Sequence, residues 1–196
     1  RRVLFRSYDL LGIADQCFRV MTSAKPFTGI ESFKGQKIRT MENAYHLQFW
    51  KQMGANPTPM SFSEVYIGLQ QGTIDAQENA YEIIVSAKLY EQQKYLISTN
   101  AVPDYTTLIV SDEFYQGLTK EQQKIIDQAA EIAQEKARES ADDRRVQRQK
   151  VLEDEGMQIV DVDQKTWKQM QEKCQPVYDS IRKQAGDKLV DLYMGK

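Results

Sequence analysis

KGQKIRTMENAYHLQFWKQMGANPTPMSFSEVYIGLQQGTIDAQEN, residues 34–79, decides how this chain is read. Lys37 to Met41 is β-rich and entered through Gly35, which predicts a strand. Asn43 is a plausible N-cap, and Tyr45, Phe49, Trp50 and Met53 then make one apolar helical face. Gly54 ends that helix, because glycine tolerates the left-handed geometry of a helix terminus. Each proline of Asn56-Pro57-Thr58-Pro59 biases its predecessor away from helix, so the segment is extended. Ser61 and Glu64 have the spacing of a capping box, and Phe62, Val65, Tyr66 and Leu69 follow on one face up to Gly72. Ile74 to Gln77 is extended, and Asn79 is placed to cap a helix running through Ile83, Ile84 and Ala87 to about Tyr90. Strands alternating with helices in this way argue for an α/β fold with a largely parallel sheet.

The flanks extend the pattern. Cys17 to Ser23 reads as a strand and Lys25 to Gly29 as a turn. Leu96 to Thr99 and Thr106 to Val110 read as two further strands. Thr119 and Gln122 form another capping box, and no Gly or Pro occurs from there to Glu155. This predicts one very long helix, beyond the usual length for a globular one, and hence an element spanning two lobes. Its charged later part, Glu135 to Lys150, is read as a solvated face with i,i+4 ion pairs. Gly156 ends it, Met157 to Val160 is a strand, and Asp163 starts a last helical region around Trp167, Met170, Tyr178 and Ile181. The opening heptapeptide Arg1 to Ser7 reads as a translated sequencing adapter, so residues 1–7 are expected to be non-native.

Composition narrows the function. The 196 residues are 41% hydrophobic and 28% charged, an ordinary globular balance. A net charge of −2 leaves no electrostatic footprint for nucleic acid. No apolar run approaches the ~18 residues of a membrane span. Cys17 and Cys174 form no close pair and are read as thiols rather than a disulfide. The single histidine, His46, lies in an amphipathic helix and reads as a surface or half-buried residue rather than a catalytic base. There is no second histidine for zinc, no nucleotide-binding glycine loop and no nucleophile elbow. No catalytic residue, metal site or cofactor is therefore expected.

Two arginines stand out. Arg19 lies between Phe18 and Val20, and Arg39 follows Ile38 in the segment ending at Met41. A buried arginine needs an anionic partner. That partner is either one of the chain's own acids, in a structural ion pair, or the carboxylate of a ligand, which guanidinium meets through two parallel hydrogen bonds. The residues alone leave both readings open. Asn79 at a helix start is either a simple cap or a donor to an anion held at the helix end. Phe62 is either core or a pocket wall.

The stretches at 34–39, 54–66 and 69–79, together with Tyr90 to Asn100 and Phe114 to Gln123, resemble the substrate-binding proteins of TRAP transporters, in the dicarboxylate-binding branch. The resemblance covers essentially everything from Tyr8 onward. It implies a two-lobed α/β fold of the periplasmic-binding-protein type (class II), with hinge strands and a long lobe-spanning helix. On that pattern residues 17–104 and 145–196 form lobe two. Residues 8–16 and 105–144 are a remnant of lobe one, most of which is missing together with any signal peptide, and exposed apolar surface is expected on what remains. The family captures a small organic acid anion outside the cytoplasm and delivers it to an ion-gradient-driven membrane permease; it is not enzymatic. Arg39 falls on the signature arginine that pairs with the ligand carboxylate, Arg19 on an assisting arginine, Asn79 on a ligand-contacting asparagine and Phe62 on a pocket-lining position. Three positions depart from the pattern: Cys17 and Ala76 stand where glycine is common, and Ala80 where proline is. A carboxylate sensor partnered with a membrane receptor, or an α/β enzyme acting on an organic acid, are the rival readings.

Overall fold

A computed structural model describes residues 4–5 and 7–195 of the chain. The reading of residues 1–7 as non-native therefore lies largely outside the described residues. In chain order the elements are β1 (Leu4–Phe5), β2 (Tyr8–Ser23), β3 (Lys37–Thr40), α1 (Ala44–Gln52), β4 (Asn56–Pro59), α2 (Val65–Gln70), β5 (Ala76–Asn79), α3 (Tyr81–Ser86), β6 (Tyr95–Ser111), α4 (Asp112–Gln116), α5 (Lys120–Glu139), α6 (Ala141–Asp154), β7 (Gln158–Asp161), α7 (Gln164–Lys173), α8 (Gln175–Ala185) and α9 (Asp187–Tyr193).

The sheet runs β4-β3-β5-β2-β6-β7, with β1 paired to β2. β3 is parallel to β4 and β5, β6 is parallel to β7, and β2 is antiparallel to β1, β5 and β6. It follows that β2 alone runs against the others, so the sheet is mixed but largely parallel. Successive residues of a strand point to opposite faces. Val20 and Leu96 accordingly join Val65, Leu69, Ile74, Ile84 and Leu152 in one core. Their neighbours Met21 and Ile97 join Phe33, Ile38, Trp50, Met53 and Met170 in the other. Cover on both faces explains why β3 and β5 read as buried runs rather than as an alternation.

Most local signals act as read. Asn43 Oδ1 accepts the Tyr45 and His46 amides at 2.9 and 3.2 Å. The Thr119/Gln122 box closes in both directions. Asp163 caps α7. Gly54 takes φ +83° just past α1.

Five expectations are corrected. The two strands expected at Leu96–Thr99 and Thr106–Val110 are parts of the single strand β6, and β2 begins at Tyr8 rather than Cys17. Asn100 and Pro103 hide this continuity, because they sit where the β2–β6 ladder slips register rather than where it ends. The single helix expected from Thr119 to Glu155 is two, joined at Ser140, whose ψ is 2°. The Ser140 hydroxyl donates to the Lys136 carbonyl at 2.6 Å, a back-bond that bends helices. The Ser61/Glu64 box does not form: the segment starts as a 3-10 turn, and Ser61 Oγ pairs with Ser63 Oγ at 3.0 Å instead. Asn79 does not cap α3; it is the last residue of β5, paired with Val20, and Ala80 occupies the cap position.

Both cysteines are thiols, and burial pushes Cys174 up to about 11. Cys17 takes φ +67° at the register slip between Asp15 and Phe18, a conformation that costs an L-residue about 1–2 kcal/mol. Glycine would carry no such cost at this position. Cys17→Gly is expected to stabilise the protein by up to about 1 kcal/mol, after glycine's greater unfolded-state freedom is discounted. An unchanged or lowered urea midpoint at unchanged m would contradict this.

Candidate functional site

β3, β4 and β5 run parallel and end together at Thr40, Pro59 and Asn79. The carboxyl ends of parallel strands are where open α/β sheets bind ligands, because side chains and loop backbone converge there without a strand to continue. Arg39, Asn79 and Phe62 all belong to this edge, and antiparallel β2 brings Arg19 beside it.

Arg39 is 4% exposed. Its Nε and Nη2 both donate to the Met60 carbonyl, at 3.0 and 2.9 Å. The Phe62 ring lies 5.8 Å from Cζ, within cation–π range. Among the described residues no carboxylate lies within ion-pairing distance of Arg39, and Nη1 has no protein acceptor. Burial lowers its pKa; the field of Glu78 opposes that shift and Arg19 adds to it. A buried guanidinium held by one carbonyl is an incomplete arrangement, and a ligand carboxylate would complete it.

Arg19 is different. Its Nε donates to Glu78 Oε2 at 2.6 Å, and Nη2 to Glu78 Oε1 and the Glu78 carbonyl at 3.3 and 2.9 Å. Nη1 reaches Asp104 at 3.3 Å. Burial opposes its charge, but Glu78 and then Asp104 outweigh burial and raise its pKa. Arg19 thus sits in an internal ion pair at the edge of the site. Asn79 is buried, and among the described residues its side-chain amide has no hydrogen-bond partner. Phe62 is 45% exposed and presents its ring to Arg39.

Sequence reasoning passed over Glu78. Its signal was there, as an acid inside a buried strand beside Asn79, but nothing local says that its partner is Arg19, 59 residues away.

A cavity of about 550 Å³ lies elsewhere, where β2 and β6 cross the α5–α6 junction, lined in part by Cys17, Phe18, Tyr81, Arg138 and Arg145. None of Arg39, Arg19, Asn79 or Phe62 lines it. Asp15, Asp142 and Asp161 face its arginines, so it has no net preference for anions. The charge arrangement therefore favours the strand-end site over this cavity. No cluster of His, Cys, Asp and Glu among the described residues is arranged to hold a metal.

The fold is a largely parallel α/β sheet with a hydrophobic core on each face. Residues 2–184 match the family described as bacterial extracellular solute-binding protein, family 7. The chain belongs to this family. The sialic acid-binding periplasmic protein SiaP of Vibrio cholerae is 32% identical over 172 residues, which cover 88% of this chain and 53% of that protein. The ectoine-binding periplasmic protein TeaA of Halomonas elongata is 39% identical over 125 residues, covering 64% of this chain and 37% of that protein. A TRAP periplasmic solute-binding protein of Haemophilus influenzae with bound L-gulonate is 32% identical at a TM-score of 0.88, covering 96% of this chain and 62% of that one. A Sulfitobacter counterpart with bound β-D-galacturonate is 28% identical at a TM-score of 0.88, covering 97% and 63%. The chain thus spans about half the length of the curated relatives it matches.

Proposed function

We propose that the complete protein captures a small organic acid anion outside the cytoplasm and hands it to the membrane subunits of a TRAP permease, without chemical turnover. The observation that carries this reading is Arg39, a buried guanidinium at the strand ends with no carboxylate partner among the described residues. Arg39 takes the ligand carboxylate, the free amide of Asn79 adds a donor, Arg19 holds Glu78 at the edge of the site, and Phe62 packs on the ligand body. Relatives of this family named for sialic acid and 2,3-diketo-L-gulonate, and neighbours solved with sugar acids, support an acid ligand. No helix among the described residues is long and apolar enough to cross a membrane.

In this reading residues 17–104 and 145–196 form one lobe, and residues 8–16 and 105–144 belong to a second whose remainder lies outside this sequence. Exposed Ile13, Tyr105, Ile109, Phe114, Ile125 and Ile132 support it, since they leave an apolar surface on those segments that a completed lobe would cover. Ligand would then be enclosed by closure of the two lobes.

A thermal-shift screen of the complete protein against L-gulonate, D-galacturonate, D-erythronate, sialic acid and succinate tests the reading. Saturation at about 100-fold the Kd stabilises by about 2.7 kcal/mol, which raises Tm by several degrees. A panel in which neutral analogues shift Tm as much as the acids would remove the carboxylate assignment.

A further inference from the structure

The cavity at the α5–α6 junction owes its walls to two irregularities in the β2–β6 ladder. The register slips between Asp15 and Phe18 and again between Arg19 and Met21. Cys17 of β2 and Asn100 of β6 lie in these slips and take φ of +67° and +44°, left-handed values uncommon for residues with a side chain. Both line the cavity. Bulges bend a strand, re-aim its side chains and recur next to active sites, and left-handed non-glycine residues cluster at ligand clamps. The volume of about 550 Å³ suits a small-molecule site. Its charged lining is Arg138, Arg145, Asp15, Asp142 and Asp161. Asp142 lies 3.7 Å from Arg145, and Asp15 Oδ1 accepts the Cys17 amide at 2.8 Å. Arg138 of α5 and Asp161 at the end of β7 have no side-chain partner among the described residues. Both are exposed, so each is open to a ligand as well as to water. Burial pushes the Tyr81 hydroxyl up; Ser98 and Arg145 oppose that shift and Asp161 adds to it, which places charges of both signs beside this hydroxyl. Phe18 and Tyr105 supply apolar wall, 44% and 55% exposed.

We propose that this cavity is a second ligand site, separate from Arg39, that takes a small zwitterion of the α-amino-acid type with an apolar side chain. Arg138 receives the carboxylate, Asp161 receives the ammonium, and Phe18 and Tyr105 cover the apolar part. The lining sets this class. A simple anion would meet the field of the lining acids, and a simple cation would leave Arg138 unmatched. A molecule with both charges answers both and adds no net charge to the cavity, and each end can form a charge-assisted hydrogen bond. The site also bridges the segments read above as two lobes: Tyr105 and Arg138 come from one, Phe18 and Asp161 from the other.

The test is titration calorimetry of the complete protein with L-phenylalanine, 2-phenylethylamine and 3-phenylpropanoate, the last two of which carry only one of the two charges. L-Phenylalanine is expected to give a saturable isotherm, and each single-charge analogue to bind more weakly by about tenfold or more. Arg138→Gln and Asp161→Asn are each expected to weaken L-phenylalanine by about tenfold at nearly unchanged Tm, because both side chains are exposed. Arg39→Ala is expected to leave L-phenylalanine binding as it is. No saturable binding of L-phenylalanine, or an analogue that binds as tightly as the amino acid, overturns the proposal. Wild-type affinity in both Arg138→Gln and Asp161→Asn overturns it too. Loss of L-phenylalanine binding in Arg39→Ala would place the amino acid at the strand ends and likewise overturn the second site, while the reading of Arg39 stands.

Discussion

Arg39→Ala is expected to weaken acid binding by the complete protein by at least about 30-fold by titration calorimetry. Removing one partner of a buried, hydrogen-bonded charge pair costs about 2–5 kcal/mol, because the remaining charge is left desolvated and alone. Here that remaining charge is the ligand's carboxylate. The more informative variant is Arg39→Lys. Lysine keeps the positive charge, but it cannot donate to the Met60 carbonyl through two nitrogens of one plane and still present a further N–H to the ligand. A loss of about tenfold or more is expected. Near wild-type affinity for Arg39→Lys would mean that charge alone recruits the acid and that planar geometry is irrelevant. Folding should survive either change, since Arg39 pairs with no acid among the described residues and leaves only the Met60 carbonyl short of a donor.

Phe33→Ala is expected to produce the largest loss of stability, about 3–5 kcal/mol. Phe33 is fully buried, with ring centroids 5.1 Å from Phe27 and 5.5 Å from Trp50, the latter in an edge-on geometry. It joins the turn ahead of β3 to α1, so the cavity is walled by elements whose positions are set by the sheet and cannot collapse fully. The loss would lower Tm by about 10 °C for a protein of this size. A Tm within about 2 °C of wild type would show that the face beneath α1 repacks freely, against the close packing seen there. Because β3 begins four residues later, a fall in acid affinity alongside the fall in Tm is expected for this variant.

The two variants probe features of very different legibility. That Trp50 would lie on a buried face follows from the apolar spacing of its helix, because burial of apolar side chains is non-directional and tolerant; that Phe33 packs beneath it was shown only by the fold. That Arg39 faces a ligand rather than an acid of the chain does not follow from spacing at all. Arg19 and Arg39 have similar surroundings in sequence, each within an apolar strand. One is matched by Glu78 and Asp104 and the other by a single carbonyl. Resemblance to a known family pointed to both arginines alike and did not separate their circumstances. Asn79 shows the same limit: a residue placed to cap a helix proved to end a strand, because its pairing with Val20 depends on a segment 59 residues upstream.

Caps at Asn43, Thr119 and Asp163, the stop at Gly54 and the alternation of strands with helices were all settled within a few neighbouring residues. Each depends on hydrogen bonds or φ preferences that reach no further than one turn. The union of two expected strands into β6, the left-handed Cys17 and the pairing of Arg19 with Glu78 were decided only when the chain closed on itself. Their partners are remote in sequence or depend on how packed segments cross, and electrostatic matching inside the sheet is a property of that closure. Arg39 belongs to both groups: its presence on a buried strand was readable from the residues around it, while its lack of an internal acid partner came from the packing that gave Glu78 to Arg19.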